Sequence, residues 1–508
     1  MKKILLAISL TAISFSAPYI SAAEVAPKLS INKAASSNLL TTRNYYQQLL
    51  NRSDMRGAEL NMLMTMIPKG GDIHHHYSGA IYAETYLDWV EQQGFCIYRE
   101  SNPANKQEKF RIETKALPAE AAKNCVKVDA IRKDNNFYRE LISTWSDMDY
   151  GNHVHLQYPP DQHFFNTFGY FSSISKYSTN TGLKLLKERA KAENQQYLET
   201  MLKSAPAVDQ AELAVKIDAL TSGSSSQEIQ QAFAAYADFL KQDKDAQDKI
   251  KAYADEVNAD TKDIDDAEFT LRVQSYVSRN TAPSKIFAGL YSAFAATQLN
   301  SKIVGVNIVG PEHGLVALRD YTLHMQMFAF LKKQFPQVRL SLHAGELNLG
   351  LVPPEHLLHH IRSAVEIAGA ERIGHGVDVS FERNPDQLIQ NLKKRNVAVE
   401  INLTSNAFIL GVKEAEHPVT LYLRYGVPVV LTSDDVGVSR NNLSNEYLLF
   451  TSRYKPSYDD LKKIVYNSIE YSFLTTGEKQ QHKKLLDKRF LDFEAAVAKL
   501  VQNQPKNK

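Results

Sequence analysis

The chain has 508 residues, of which 44% are hydrophobic and 23% charged, and carries a formal charge of +2. That composition is ordinary for a globular protein and excludes a disordered chain or a membrane bundle, and the length accommodates one large domain with insertions. Lysines and arginines are scattered and form no extended basic run, so the electrostatic footprint of a nucleic-acid binder is absent.

In chain order, Lys2 and Lys3 precede an apolar run over residues 4–17, and Ser21, Ala22 and Ala23 supply small residues before Glu24. This is the pattern of a signal peptide, residues 1–23, and it predicts a secreted or periplasmic mature protein. The apolar run is shorter than the ~20 residues a membrane span needs, so no stable membrane association is expected after cleavage. In an oxidising compartment the pair Cys96 and Cys125, the only cysteines, is expected as a disulfide.

Residues 24–66 form an N-terminal segment in which Leu49, Leu50, Leu60, Leu63 and Met64 have the spacing of a helix pair over 44–66. The first strand is predicted over 71–76. A polar stretch over 92–161, holding both cysteines, then interrupts the first strand-helix unit as an insertion. Residues 197–201 and 271–276 read as the second and third strands. Between them, 205–267 is rich in Ala, Gln, Lys and Asp and reads as a helical hairpin on the outside, with 222–226 as a flexible elbow. Further strands are predicted over 302–309, 338–342, 372–374, 397–403 and 427–431, and a helix over 417–425 closed by Gly426. Strand and helix alternating in this way predict an α/β fold, a (β/α)8 TIM barrel over residues 67–508 with insertions after strands 1 and 2.

The chemistry lies at the C-terminal ends of the predicted strands, where barrel enzymes carry their catalytic groups. His74 and His76 alternate on the first strand and so face the same side, with His75 turned to the helix layer. His343 and Glu346 follow the strand that ends at Leu342, His375 follows Ile373, and Asp434 and Asp435 follow Leu431. Zinc favours nitrogen ligands with one carboxylate and, in a catalytic site, an open position for water; His74, His76, His343 and Asp434 meet that requirement with one Zn2+ per chain. His375 is then left as the base that orients and deprotonates the water, Glu346 as a proton donor, and Asp435 as a hydrogen-bonding group for substrate or water.

Together these motifs resemble the adenosine and AMP deaminase family, in particular its secreted branch of adenosine deaminase-related growth factors. The resemblance rests on residues 66–70 leading into His74-His75-His76, on 306–310, 341–346, 372–376 and 432–435, and on 467–473 as the closing helix. It implies hydrolytic deamination of adenosine and 2′-deoxyadenosine, with a purine nucleoside as substrate. By position it implies zinc on His74, His76, His343 and Asp434, Glu346 as the acid that protonates N1, His375 beside the attacking water, Asp435 at N7 and the Gly310 backbone near N3. It also implies a homodimer formed through the N-terminal helical segment, and a disulfide in the insertion after the first strand.

Two positions depart from the family pattern. An aspartate that meets the ribose normally follows the second histidine, and here Tyr77 and Ser78 stand instead, with the Ser78 hydroxyl left to bind the sugar. His75 also takes a place usually held by an apolar residue. The competing readings are a deaminase of another 6-aminopurine nucleoside or nucleotide, and an extracellular growth-factor-like binding protein on the same scaffold. A phosphoester or lactam hydrolase of this fold would expect a bridging lysine, which these strand ends do not present.

Overall fold

The computed structural model describes residues 33–51, 57–99, 110–152 and 158–504. The signal-peptide reading of residues 1–23 lies outside the described residues, as do residues 24–32 of the N-terminal segment. Among the described residues, no helix is long and apolar enough to cross a membrane.

Short aliphatic runs buried on both faces build the centre, as expected for parallel strands covered by helices. In chain order the strands are β1 (Gly70–His76), β2 (Cys96–Arg99), β3 (Phe110–Glu113), β4 (Cys125–Lys127), β5 (Gln195–Ser204), β6 (Thr270–Ser278), β7 (Ile303–Val309), β8 (Ser341–Ala344), β9 (Arg372–His375), β10 (Ala398–Ile401) and β11 (Val429–Leu431). Parallel ladders give two four-stranded sheets, β1-β5-β6-β7 and β8-β9-β10-β11. Isolated parallel bridges, Val306 to Leu340 and His75 to Asp434, join the sheets at both seams. The predicted eight-stranded barrel is thus closed, and its last seam is made at the residues singled out for chemistry.

Strand boundaries around the site differ from the sequence reading. β8 begins at Ser341 and includes His343, because residues 338–340 pair with β7 through a single bridge and form no ladder with β9. β9 extends through His375. β10 ends at Ile401, and Leu403 already opens a helix, Leu403–Leu410, whose first two N–H groups, Leu403 and Thr404, are accepted by the buried Glu446 carboxylate at 2.8 and 3.1 Å. That stabilising acid comes from 43 residues further along the chain, so local sequence gave no sign of it.

The stretch after β1 carries the antiparallel sheet β3-β2-β4, with Cys96 and Cys125 joined in a disulfide across β2 and β4. Closing a loop of 29 residues stabilises the fold by about 3.5 kcal/mol in the chain-entropy model. The boundary drawn at 161 falls in the first turn of a helix, Pro160–Phe171, which continues across the mouth of the barrel. There Asp161 pairs with His313 beyond β7 at 3.2 Å, and Phe164 meets Phe408 of the 403–410 helix.

The second stretch, drawn as a hairpin, contains three helices: Ala211–Asp218, Ser226–Gln242 and Lys244–Asp260. The elbow is an ordered helix start, since Ser225 and Glu228 form a reciprocal capping box. Phe233 stacks on Phe287 of the barrel helix Pro283–Leu299 at 4.7 Å, which fixes the group to the outer layer. At the other end, helix Lys33–Asn51 buries Tyr46, Leu49 and Leu50, and Thr42 bonds the Glu494 carbonyl of the last helix, Thr476–Gln502. The apolar face of the N-terminal helix is therefore used within the chain.

Candidate functional site

β1 delivers His74 and His76 to one side and turns His75 away, its Nδ1 2.9 Å from Thr200 Oγ1 on β5. β8 and the end of β11 bring His343 and Asp434 to the same point. The potential ligand atoms of His74, His76, His343 and Asp434 all lie within 4.8 Å of one another. Asp434 Oδ1 is 3.5 Å from His74 Nε2 and 3.3 Å from His76 Nε2, and His76 Nε2 is 3.1 Å from His343 Nε2. Two of the site residues, His375 (φ 70°) and Asp434 (φ 61°), hold left-handed backbone conformations that are uncommon outside glycine. Such strain persists where the surroundings over-determine it, and it aims both side chains into the mouth.

The donor set fits a divalent metal. Glu400 Oε2 lies 2.6 Å from His74 Nδ1 and Asn307 Oδ1 lies 2.9 Å from His343 Nδ1. Acceptors on that side place the ring proton on Nδ1 and leave the Nε2 lone pair facing the cluster, the arrangement typical of metal-binding histidines. His74 Nε2 is buried without a hydrogen-bond partner. Burial disfavours the His74 cation, yet the Asp434 and Glu400 carboxylates outweigh it and hold the ring up at about 10, so these two acids favour a positive charge beside them. Three imidazoles with one carboxylate is a zinc-type set. The approach is tight enough to require glycine at two places: a Cβ on Gly374 would sit 2.6 Å from His74 Cε1, and one on Gly79 would overlap the Asp435 carboxyl.

Around this cluster stand the remaining predicted residues. Glu346 and His375 form a second group with Asp434, all buried; Glu346 Oε1 is 3.7 Å from His375 Nδ1, and His375 Nε2 is 3.8 Å from Asp434 Oδ2. Burial, then the Asp434 charge, pushes both Glu346 and Asp435 well above the carboxylate range, which keeps them as proton-bearing acids. Asp435 Oδ1 is buried and unpartnered. Gly310 ends the β7 turn at φ 94° and is half-buried. Tyr77 turns into the helix layer, its hydroxyl 3.4 Å from the Thr179 carbonyl, whereas Ser78 stays half-exposed at the strand's end.

The tautomer of His375 can be followed from an unambiguous donor. Val419 N–H donates to His417 Nδ1 at 3.2 Å, so the His417 proton is on Nε2, which donates to Asn406 Oδ1 at 3.0 Å. The Asn406 amide nitrogen therefore faces His375 Nδ1, 2.9 Å away, as a donor. Burial holds His375 neutral, at about 3, and its one proton sits on Nε2. The base assigned from sequence is in this state a hydrogen-bond donor toward the reacting centre, because the chain of partners behind it fixes the ring.

Sequence reading missed this supporting layer. Glu400 is a fully buried acid inside an aliphatic strand, and it also binds Arg372 Nε at 2.5 Å and Ser341 Oγ at 2.8 Å. Arg372 is in turn bound to Glu199. A charged residue in the middle of a buried strand was the available signal, since such groups are almost never buried unpaired. Glu400→Gln is expected to weaken metal binding by about 10- to 100-fold, as loss of an outer-shell carboxylate typically does. Competition against a chelator measures it, and an unchanged dissociation constant would remove Glu400 from any part in holding the ion.

With this geometry in place, comparison with known proteins can be read against it. The family model described as adenosine deaminase matches residues 256–489. The chain is 34% identical over 146 residues to an adenosine deaminase of Clostridium perfringens, covering 28% of this chain and 41% of that one. It is 31% identical over 189 residues to an adenosine deaminase of Aliivibrio fischeri, covering 37% and 52%. Over residues 256–489 the chain is similar to the adenosine deaminase family. Each match spans about half or less of the curated relative's length, and the family model covers β6 to β11, beginning within the end of the second insertion. The fold is shared with the N6-methyl-AMP deaminase of Arabidopsis thaliana (17% identity, TM-score 0.51, covering 84% of this chain and 98% of that one). It is shared as well with a Zn-bound amidohydrolase from Burkholderia ambifaria (16%, TM-score 0.50, covering 88% and 96%).

Proposed function

We propose that this protein is a zinc-dependent, exported deaminase that converts adenosine, and 2′-deoxyadenosine, to the 6-oxo nucleoside and ammonia. The observation that carries the reading is the convergence of one four-ligand cluster and three further polar groups, Glu346, His375 and Asp435, at a single barrel mouth. Zinc held by His74, His76, His343 and Asp434 would supply Lewis acidity that makes a water nucleophilic at neutral pH. The chain's own groups divide the remaining work. Glu346, kept protonated by burial, donates to N1 as C6 accepts the water oxygen. Asp435, likewise protonated, donates to N7, and the Gly310 backbone is assigned to N3. His375 offers its Nε2–H to hold the attacking water. One proton of the attacking water passes to the 6-amino group, which leaves as ammonia, the other returns the Glu346 carboxylate to its acid form, and the oxygen of water remains on C6.

The disulfide between Cys96 and Cys125 supports export, since such bonds persist in oxidising compartments. Structural relatives include an N6-methyl-AMP deaminase and proteins complexed with GMP or IMP, so nucleotides belong in the test. Purified mature protein is expected to deaminate adenosine faster than AMP or N6-methyl-AMP. With Ser78 in place of an acid, the sugar is held by a neutral bond, worth ~1 kcal/mol against ~1.5–3 for a charged one. Removing the 5′-hydroxyl is then expected to cost about tenfold or less in kcat/KM. Faster turnover of a nucleotide would move the assignment to that class, and no turnover of any purine in zinc-loaded protein would leave the binding-protein reading.

A further inference from the structure

Glu346 presents a problem that the proposed reaction does not solve. Its carboxyl makes no close ion pair with His375, whose Nδ1 lies 3.7 Å from Oε1. The aim of an acid that must meet one ring nitrogen therefore depends on how its backbone is held. That backbone is held by a residue from another strand's end. Glu312, two residues beyond Gly310, accepts the Gly345 N–H at 3.1 Å through Oε1 and the Glu346 N–H at 2.9 Å through Oε2. On the other side, the Gly345 carbonyl receives the N–H groups of Val377 at 2.8 Å and Asp378 at 3.2 Å.

Glu312 is itself fixed and fully buried. His360 Nδ1 lies 2.5 Å from Oε1, and the Arg279 guanidinium is 3.5 Å from Oε2. Arg279 also donates to the carbonyl of the metal-ligand candidate His343 at 2.7 Å and to that of Ile308 on β7 at 3.2 Å. One buried ion pair thus ties the His343 backbone to the Glu346 turn. Two oxygens on two successive N–H groups form a fork, which fixes the direction of the turn as well as its place.

We infer that Glu312 is a positioning residue for Glu346, setting the aim of the proton donor through the Gly345–Glu346 backbone without touching substrate or metal. The inference rests on the proposed role of Glu346, but its structural content does not. Glu312→Ala would strand Arg279 and His360 in the interior and is expected to misfold, so the test uses Glu312→Gln. That variant keeps the volume and one acceptor oxygen but turns an N–H donor toward a backbone N–H.

Crystal structures of wild type and E312Q are expected to differ at the Gly345–Glu346 turn, with the Glu346 carboxyl displaced by ~0.5–1 Å. Misplacement on that scale can cost about 100-fold in rate, so kcat on adenosine is expected to fall 10- to 100-fold while KM stays within about threefold and zinc content is unchanged. The same substitution in an E346Q background is expected to change kcat less than about twofold, because coupled residues are non-additive. A structural defect would instead repeat its full cost there. An undisplaced Glu346 in E312Q, or equal losses in the two backgrounds, overturns the inference. If wild-type protein deaminates no purine, the proposed function fails while the crystallographic comparison still decides this one.

Discussion

His343→Ala is expected to give a folded protein that holds no stoichiometric zinc and deaminates adenosine at least ~10⁴-fold more slowly than wild type. The magnitude follows from what the ion would supply: without a Lewis acid the water stays near its bulk pKa of about 15.7, where a bound ion brings it to about 7. His343 contributes one of three nitrogens, and its loss leaves a two-histidine, one-carboxylate set with the His74 and His76 rings no longer opposed by a partner on β8. The fold should survive because the ladder between β8 and β9 is made by the backbone, and Arg279 keeps its bond to the carbonyl of residue 343. Elemental analysis and circular dichroism separate the two effects. Chelator-stripped wild type regains activity on addition of zinc, whereas H343A does not. Stoichiometric zinc in H343A, or more than one ion per wild-type chain, would overturn the ligand set.

The parts of this molecule that were legible in the sequence share a physical cause. Periodicity and strand-end placement are local properties, so His74, His76, His343, Glu346, His375, Asp434 and Asp435 could be put at one barrel mouth from spacing and fold geometry alone. What the sequence hid is non-local. Glu400 reaches His74 across 326 residues, and Glu446 caps a helix that the strand reading of 397–403 ran into. The role of His375 depended on a proton whose location is set by His417 and Asn406, and neither residue stands near it in sequence. Glu312 was invisible for the same reason: its work is done on the backbone of another segment, where residue type leaves no pattern. The elbow at 222–226 erred in the opposite direction. A serine-rich stretch read as flexible was a capping box, because the acid three residues after Ser225 decides its conformation.

Glu346→Gln is expected to keep zinc, fold and substrate binding while lowering kcat by about 10²- to 10⁴-fold, the usual worth of a general acid. The amide matches the acid in shape and can donate a hydrogen bond to N1, yet it cannot give up a proton as C6 becomes tetrahedral. Its backbone bonds to Glu312 are unaffected by the change. KM should remain within about threefold, since the interaction lost is made in the transition state. The pH dependence separates this role from a binding one. Burial, followed by the Asp434 charge, raises the Glu346 carboxyl well above the usual range, so in wild type the acid form persists to higher pH than an ordinary carboxyl and is lost as pH rises through that elevated value. Wild-type activity is therefore expected to fall on the alkaline side of the profile, and that limb should be absent from the residual activity of E346Q. Loss of zinc from the variant would instead make Glu346 a ligand, and an alkaline limb unchanged in E346Q would assign the proton donor to another group.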